Sequence, residues 1–346
     1  MSKPNDEPRQ LGLFGAVDPP ATPAGEPARI AAAPHNSSLR ELAARLPEQL
    51  RFGTSSWNFA GWRGLVYGDQ APIKRLSRDG LAAYAQHPLL RTVGVDRTFY
   101  APIPADTFRG YADQVPGDFR FLVKAWGELL EPKRRGQNRP NPRYFDAETL
   151  MRECIEPARQ GLGDRLGVVL LQLPPQGPET TRDPVGFAKH LAALLAQIPE
   201  DVPLAIELRD GELLTEAYRD VVHSSGRQHG YVVHPRMPRL PAQHQLMGRA
   251  TSPPAPLVVR WMLHAGFGYE QAKERYQPFD RLVDGDVETR RELAQLCCDA
   301  ALRSVPMTVV VNNKAEGSAP HSIVELARAV VFEAAKTAPN PANTAR

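Results

Sequence analysis

Short apolar runs rich in β-branched residues alternate with longer amphipathic stretches from residue 51 onward. This alternation is typical of βα units and indicates a parallel sheet. Eight runs have the length and composition of buried strands: RFGTSS (51–56), RTVGVD (91–96), FRFLVKA (119–125), GVVLLQL (167–173), VPLAIEL (202–208), GYVVHP (230–235), PLVVRWML (256–263) and PMTVVVNN (306–313).

The stretches between these runs carry the spacing of amphipathic helices. We assign helices to 81–90, 145–162, 183–198, 211–226, 286–304 and 320–335. The helix after the sixth run is weakly marked, because MPRLPAQHQL contains Pro238 and Pro241. Eight strands are the number that closes a (β/α)₈ barrel of the TIM type, so this α/β fold is the prediction. A doubly wound open sheet is the alternative architecture.

Both chain ends differ from the rest in composition. The first 35 residues hold seven prolines and seven alanines with scattered charges, so we expect residues 1–36 to be a disordered tail. A single barrel domain is expected over 37–336, followed by a disordered tail over 337–346. Its first helix is predicted to begin with Ser38 as N-cap, because Glu41 follows three residues later.

Net charge and cysteine usage restrict the function classes. A formal charge of +3 over 346 residues is too small to establish a polyanion partner. Cys154 and the adjacent Cys297 and Cys298 offer neither zinc-site spacing nor a disulfide framework. No stretch has the ~18 consecutive apolar residues of a membrane span, and the N-terminus lacks the apolar core of a signal peptide. The expected location is the cytoplasm.

Nearly every predicted strand ends in a polar or ionisable residue, and active sites of barrels lie at these carboxyl ends. Glu207 and Arg209 are two residues apart and project from one face of their strand. With Lys124 nearby the carboxylate would stay ionised, which suits a general base or a metal ligand. An internal ion pair at the barrel mouth is the competing interpretation. We predict as catalytic residues Glu207, Lys124 and Asp96, and as substrate-binding residues Arg209, Arg260, Gln172, Asn312, Asn313, Trp57 and Tyr100.

The cations Lys124, Arg209 and Arg260 would form an electropositive mouth suited to phosphate or carboxylate. A metal site could be assembled from Asp96, Glu207, His234 and His264, but no metal-binding spacing supports it, so metal and cofactor remain unassigned.

The segment EPKRRGQNRPNPR (131–143) combines five basic side chains with one acidic one. It follows the third strand, so it would project from the same face as the site, where it could contact nucleic-acid phosphates without reading sequence. A solvated flexible loop is the alternative. The basic residues are Lys133, Arg134, Arg135, Arg139 and Arg143.

Several motifs in one order resemble the YecE-like family, which is catalogued as domain of unknown function 72. They are GTSSW (53–57), GWRG (61–64), TFY (98–100), FRFLVK (119–124), LLQLPP (170–175), AIELR (205–209), NN (312–313) and APHS (319–322). The resemblance implies a TIM-type barrel and no settled activity. By position it also implies that the typical polar residues at strand ends carry over as Lys124, Gln172, Glu207, Arg209, Asn312 and Asn313.

Four positions depart from the pattern of that family. Gly94 and Asp96 stand where the family commonly has an acidic residue and an asparagine, and Asp210 stands where a histidine often follows the EFR motif. The histidine of the seventh strand region is displaced to RWMLH (260–264). An activity shared by the family could therefore be altered in this chain.

Two function classes remain open from the sequence. The first is an enzyme on a phosphate-bearing substrate or nucleic acid, with hydrolysis, strand cleavage, or isomerase or lyase chemistry on a small sugar phosphate all compatible with a barrel. The second is a binding module for an anionic ligand or nucleic acid.

A short motif in the N-terminal tail suggests a partner. QLGLF at 10–14 is similar to the QLxLF motif with which bacterial replication and repair proteins dock into the sliding clamp, and this favours DNA maintenance. Chance occurrence and folding back onto the barrel are the alternatives. The contact residues would be Gln10, Leu11, Leu13 and Phe14.

Overall fold

A computed structural model describes residues 29–134, 136–248 and 256–337. Eight parallel strands form a closed barrel in chain order, with the last strand pairing with the first, which confirms the predicted (β/α)₈ fold. Each strand lies within two residues of a predicted run. They are β1 (Leu50–Thr54), β2 (Leu90–Val95), β3 (Arg120–Lys124), β4 (Leu166–Gln172), β5 (Leu204–Glu207), β6 (Gln228–Val233), β7 (Leu257–Trp261) and β8 (Met307–Val311).

Helices surround the barrel. Pro241 does not interrupt the helix that follows β6. It occupies the first turn of that helix, where a backbone N–H has no helical acceptor. A π-helical turn, Met151–Ile155, joins the helices Ala147–Leu150 and Glu156–Leu162. The helices are α1 (Ser37–Ala44), α2 (Ile73–Asp79), α3 (Leu81–Tyr84), α4 (Ala105–Ala112), α5 (Ala147–Leu150), α6 (Glu156–Leu162), α7 (Pro178–Thr181), α8 (Pro184–Leu195), α9 (Glu216–Ser224), α10 (Leu240–Met247), α11 (Tyr269–Tyr276), α12 (Val287–Leu302) and α13 (Ala319–Thr337). None of the helices in the described part of the chain is long and apolar enough to cross a membrane.

The start of the folded part differs from its prediction in two respects. Residues 29–36 were assigned to the tail by composition, but Ile30 and Ala33 are buried, and Ala33 donates a backbone hydrogen bond to Val66. The N-cap of α1 is Asn36 rather than Ser38, because the Asn36 side chain accepts the N–H of Leu39. Asparagine and serine are about equally good N-caps, so the side chain that reaches a free backbone N–H in the fold decides the position. Residues 1–28, with the motif at 10–14, lie outside the described residues.

The barrel interior is layered along the strand direction. An apolar layer consists of Leu122, Val168, Leu170, Ala205, Val258 and Val310. Side chains alternate between the two faces of a strand, so residues two positions farther along face the same interior. Four strands of the apolar layer therefore place polar residues above it, toward their carboxyl ends: Lys124, Gln172, Glu207 and Arg260. A larger apolar core lies between the strands and the helices.

The backbones of β1 and β2 approach each other unusually closely at Gly53. Their register shifts between Phe52 and Gly53, and a Cβ atom on Gly53 would overlap the carbonyl oxygen of Thr92. Only a residue without a side chain fits there, so this glycine is required for closing the barrel at β1.

We expect Gly53→Ala to lower the free energy of unfolding by about 1–3 kcal/mol, since an overpacked site forces the backbone to shift. Gly110→Ala is the matched control, because Gly110 is exposed in α4 and a Cβ there would meet no atom within 4 Å. Helix propensity predicts a neutral or slightly stabilising effect for the control. Urea denaturation measures both. Equal stability of the two variants would contradict the required close approach.

Candidate functional site at the barrel mouth

Arg260 lies at the centre of the polar layer and is fully buried. Its Nη1 donates to Gln172 Oε1 at 2.7 Å and to both Glu207 carboxylate oxygens, at 3.0 and 3.1 Å. Strand geometry brings these partners together, since Gln172 and Glu207 are directly paired across β4 and β5. A buried guanidinium needs such a counterion, because an unpaired charge inside a protein is strongly destabilising.

Glu207 is held by two arginines and has no exposed surface. Arg209 Nη2 lies 2.7 Å from its Oε1, so this oxygen is shared by Arg209 and Arg260. Burial acts to raise the pKa of Glu207, but Arg209, Arg260 and Lys124 outweigh it and hold that pKa below its ordinary value. The carboxylate is therefore ionised, and its lone pairs are engaged by guanidinium groups.

Lys124 and Asp96 form the second ion pair of the mouth. Lys124 Nζ lies 3.0 Å from Asp96 Oδ1, and the same oxygen is 4.0 Å from Arg260 Nη2. The Lys124 side chain is 8% exposed and the Asp96 side chain 27%, so Asp96 is the more accessible partner, although its Oδ1 is itself buried. Burial and the nearby Arg260 lower the pKa of Lys124 to about 8, although Asp96 opposes this shift.

A further cation, Lys314, enters the site although the sequence did not single it out. It follows Asn312 and Asn313 directly, and its Nζ lies 4.2 Å from the ring centroid of Tyr269. Burial lowers the pKa of Lys314 to about 8, and the charge of Asp96 opposes that effect. Its position one residue past the polar pair after β8 was the available signal.

The charges at the mouth do not balance. Four cationic side chains, Lys124, Arg209, Arg260 and Lys314, face two carboxylates, Asp96 and Glu207, which leaves an excess of two positive charges when both lysines are protonated. Within the described residues, the buried Nε atoms of Arg209 and Arg260 have no hydrogen-bond partner. An anion would supply the missing negative charge and acceptors.

The histidines near the mouth do not assemble into a metal site. Burial and the neighbouring Arg209 lower the pKa of His234 to about 3, so its imidazole is neutral. Its Nδ1 accepts the backbone N–H of Arg236, and His264 Nδ1 accepts that of Gly266. No group of three or more potential metal ligands occurs within the described ranges.

Three residues predicted to bind substrate have contacts inside the fold instead. Trp57 is 4% exposed, donates from its indole to Leu76 and packs edge-on against Tyr111. Asn313 Oδ1 accepts from Trp62 Nε1 and from the Ala319 N–H, and Asn312 caps a short 3₁₀ turn (Asn313–Ala315) through the Lys314 N–H.

Tyr100, in contrast, is 39% exposed and packs edge-on against Phe99.

Two departures from the resembled family have local physical causes. A Cβ on Gly94 would lie 2.8 Å from the Ser55 carbonyl oxygen, so the backbone excludes a side chain at the place expected for the acidic residue. Asp210 is buried and accepts from the Gln176 N–H and from Arg236 Nη2, each at 2.6 Å. It therefore joins the loops after β4, β5 and β6.

The basic segment 131–143 is partly neutralised by the protein itself. Lys133 lies 3.0 Å from Glu179, and Arg143 lies 3.4 Å from Glu128 while stacking on Trp126. A backbone hydrogen bond from Arg134 to Arg139 closes the segment into a hairpin, with both of these side chains exposed. Arg135 lies outside the described residues.

Known proteins share this fold with the chain. A DUF72 family protein from Enterococcus faecalis V583 has 16% identity, with 81% of this chain and 95% of that chain covered and a TM-score of 0.55. A DUF72 family protein from Thermotoga maritima MSB8 has 21% identity, covering 81% of this chain and 98% of that chain with a TM-score of 0.51.

A glycoside hydrolase family 5 enzyme from Prevotella bryantii B14 reaches a TM-score of only 0.34 at 10% identity, which is too low to indicate function. No curated protein matches the chain. The family described as a protein of unknown function, DUF72, matches residues 51–345, and the chain therefore belongs to the DUF72 family.

Proposed function

We propose that the protein is an enzyme that acts on a small anionic substrate, bearing a phosphate or carboxylate group, at the carboxyl-terminal mouth of the barrel. The observation that supports this proposal most strongly is the unbalanced positive charge of a buried network in which two guanidinium Nε atoms lack partners. A network built only for stability would balance its charges, because each unpaired buried charge is costly.

The charged residues of the mouth have two roles, binding of the anionic group and proton transfer. Arg209, Arg260 and Lys314 bind the anionic group. Lys124 and Asp96 transfer protons, because Asp96 is the more accessible carboxylate of the network and Lys124 has a pKa close to neutrality. Glu207, expected from the sequence to be the base, becomes a positioning residue: both its oxygens are held by arginines in the fully buried layer.

A small substrate is favoured over nucleic acid by the contacts of the two basic regions. The charges of the mouth are almost fully enclosed, whereas two cations of the 131–143 segment already have acidic partners in the protein. Isomerase or lyase chemistry on a sugar phosphate fits this better than strand cleavage. The sliding-clamp contact of residues 10–14 and the cytoplasmic location remain predictions.

Lys314→Met is expected to weaken binding of sulfate, used as a simple anionic probe, by about 10- to 100-fold. That is the usual contribution of a charge-assisted contact. Isothermal titration calorimetry measures the affinity. Lys189→Met is the matched control, since Lys189 is exposed on α8, and it should bind like the wild type. Equal affinities in all three proteins would contradict the proposed anion site.

Sulfate affinity is also expected to fall at least about tenfold between pH 7 and pH 9.5. Lys124 and Lys314 have pKa values of about 8, so both are protonated below that pH and lose their charge above it. Sulfate keeps its charge over this range, so a change in affinity reports on the protein. Calorimetric titrations at several pH values measure it, and a flat profile would show that the charges of these two lysines do not contribute to anion affinity.

Asp96→Asn separates an enzyme from a binding module. It removes a negative charge from the mouth, so sulfate should bind equally well or more tightly. Conversion of any compound in a panel of phosphorylated and carboxylated metabolites, followed by NMR, should fall by about 100-fold or more, the usual contribution of a proton-transfer group. A wild-type protein that binds sulfate but converts no compound would favour the binding module.

A further inference from the structure

We infer that Lys124 is an amine nucleophile that forms an imine with the carbonyl carbon of a ketone or aldehyde substrate, anchored through its own phosphate or carboxylate group. This inference rests on the proposed function, because it requires the anionic group to be held by the arginines of the mouth.

The placement of Lys124 suits a nucleophile better than a simple anion contact. It ends β3 inside the barrel, directly above Leu122 of the apolar layer, so its four-carbon stem is surrounded by protein. Its ammonium lies 5.4 Å from the centroid of the Phe99 ring and is paired with Asp96. The stem is therefore held by packing, with the amine in the polar layer beside Asp96.

An anion anchor lies within reach of the same amine. Lys124 Nζ and Arg260 Nη2 both lie near one oxygen, Asp96 Oδ1, at 3.0 and 4.0 Å. One small molecule can therefore present an anionic group to Arg260 and a carbonyl carbon to Lys124. Lys314 lacks this arrangement: its ammonium lies over the ring of Tyr269, with Phe279 on another side.

The protonation state of Lys124 also permits attack. Burial and Arg260 lower its pKa to about 8, so roughly a quarter of the amine is neutral at pH 7.5. An ordinary exposed lysine is almost entirely protonated at that pH. Desolvation and a neighbouring cation are the usual means of activating a lysine toward carbonyl compounds.

The step balances without any oxidant or reductant. The Lys124 ammonium gives one proton to Asp96, and the free electron pair of the nitrogen forms a bond to the carbonyl carbon while the C=O π electrons move to oxygen. A second proton passes from nitrogen to that oxygen. Asp96 then returns its proton as the C–O bond breaks, so that water leaves with both protons and the positive charge stays on the iminium nitrogen.

Reductive trapping of the full-length protein tests the inference. The protein is incubated at pH 7.5 with pyruvate, dihydroxyacetone phosphate or acetone, each with sodium cyanoborohydride, and the modified lysines are identified by peptide mass spectrometry. We expect one adduct per chain on Lys124 with pyruvate, with dihydroxyacetone phosphate, or with both, at least about tenfold above any exposed lysine. Acetone, which lacks the anionic group, should give at least tenfold less. The two anionic probes distinguish a carboxylate-bearing from a phosphate-bearing substrate.

Lys124→Arg keeps the positive charge but cannot form the imine, so it should lose the adduct and still bind sulfate. Lys189→Arg, on the exposed face of α8, should keep the Lys124 adduct. If Lys124→Arg fails to fold, the peptide map of the wild-type protein still tests the inference. Adducts spread over exposed lysines, or none on Lys124, overturn the inference. If sulfate still binds the wild type in that case, the anion site stands; if sulfate does not bind, the proposed function fails as well.

Discussion

The buried contact between Arg260 and Glu207 is the interaction on which the mouth of the barrel depends. Both side chains are fully buried, and the guanidinium contacts both carboxylate oxygens at 3.0 and 3.1 Å. Removal of either partner would leave an uncompensated charge inside the barrel, which costs several kcal/mol. Gln172 and Arg209 attach to this pair, so the ends of three strands, β4, β5 and β7, are joined by one network.

The same network carries more positive than negative charge. This excess charge is unfavourable for stability, which is why we attribute it to function. The pKa of Lys124 and that of Lys314 are both lowered to about 8, which means that the folded protein disfavours their charged forms. At neutral pH the two charges thus reduce the stability of the protein without ligand. Between about pH 8 and pH 10.5 the unfolded chain binds more protons at these lysines, so their contribution to stability rises with pH. Active sites commonly accept such a cost.

Glu207 illustrates what the local sequence pattern could predict about the site and what it could not. Its spacing from Arg209 correctly indicated an ionised carboxylate among cations. Whether that carboxylate reaches substrate depends on the second arginine, Arg260, which arrives from a strand 53 residues farther along the chain. Spacing within one strand contains no information about that contact. The partly exposed side chain of Asp96 could not be distinguished from the fully buried one of Glu207 for the same reason.

The alternation of apolar runs and amphipathic stretches was sufficient to predict eight strands and to favour a barrel over an open sheet, because strand period and helix period depend on local sequence. It also located most of the polar residues that end at the mouth. Only the tertiary structure decided which of them lie together. Lys314 lies in the site, whereas Trp57 and Asn313 form hydrogen bonds within the fold. The direction of a side chain in a loop depends on neighbours distant in sequence, and on close approaches such as that between Gly94 and Ser55, which arise only when β1 and β2 pair.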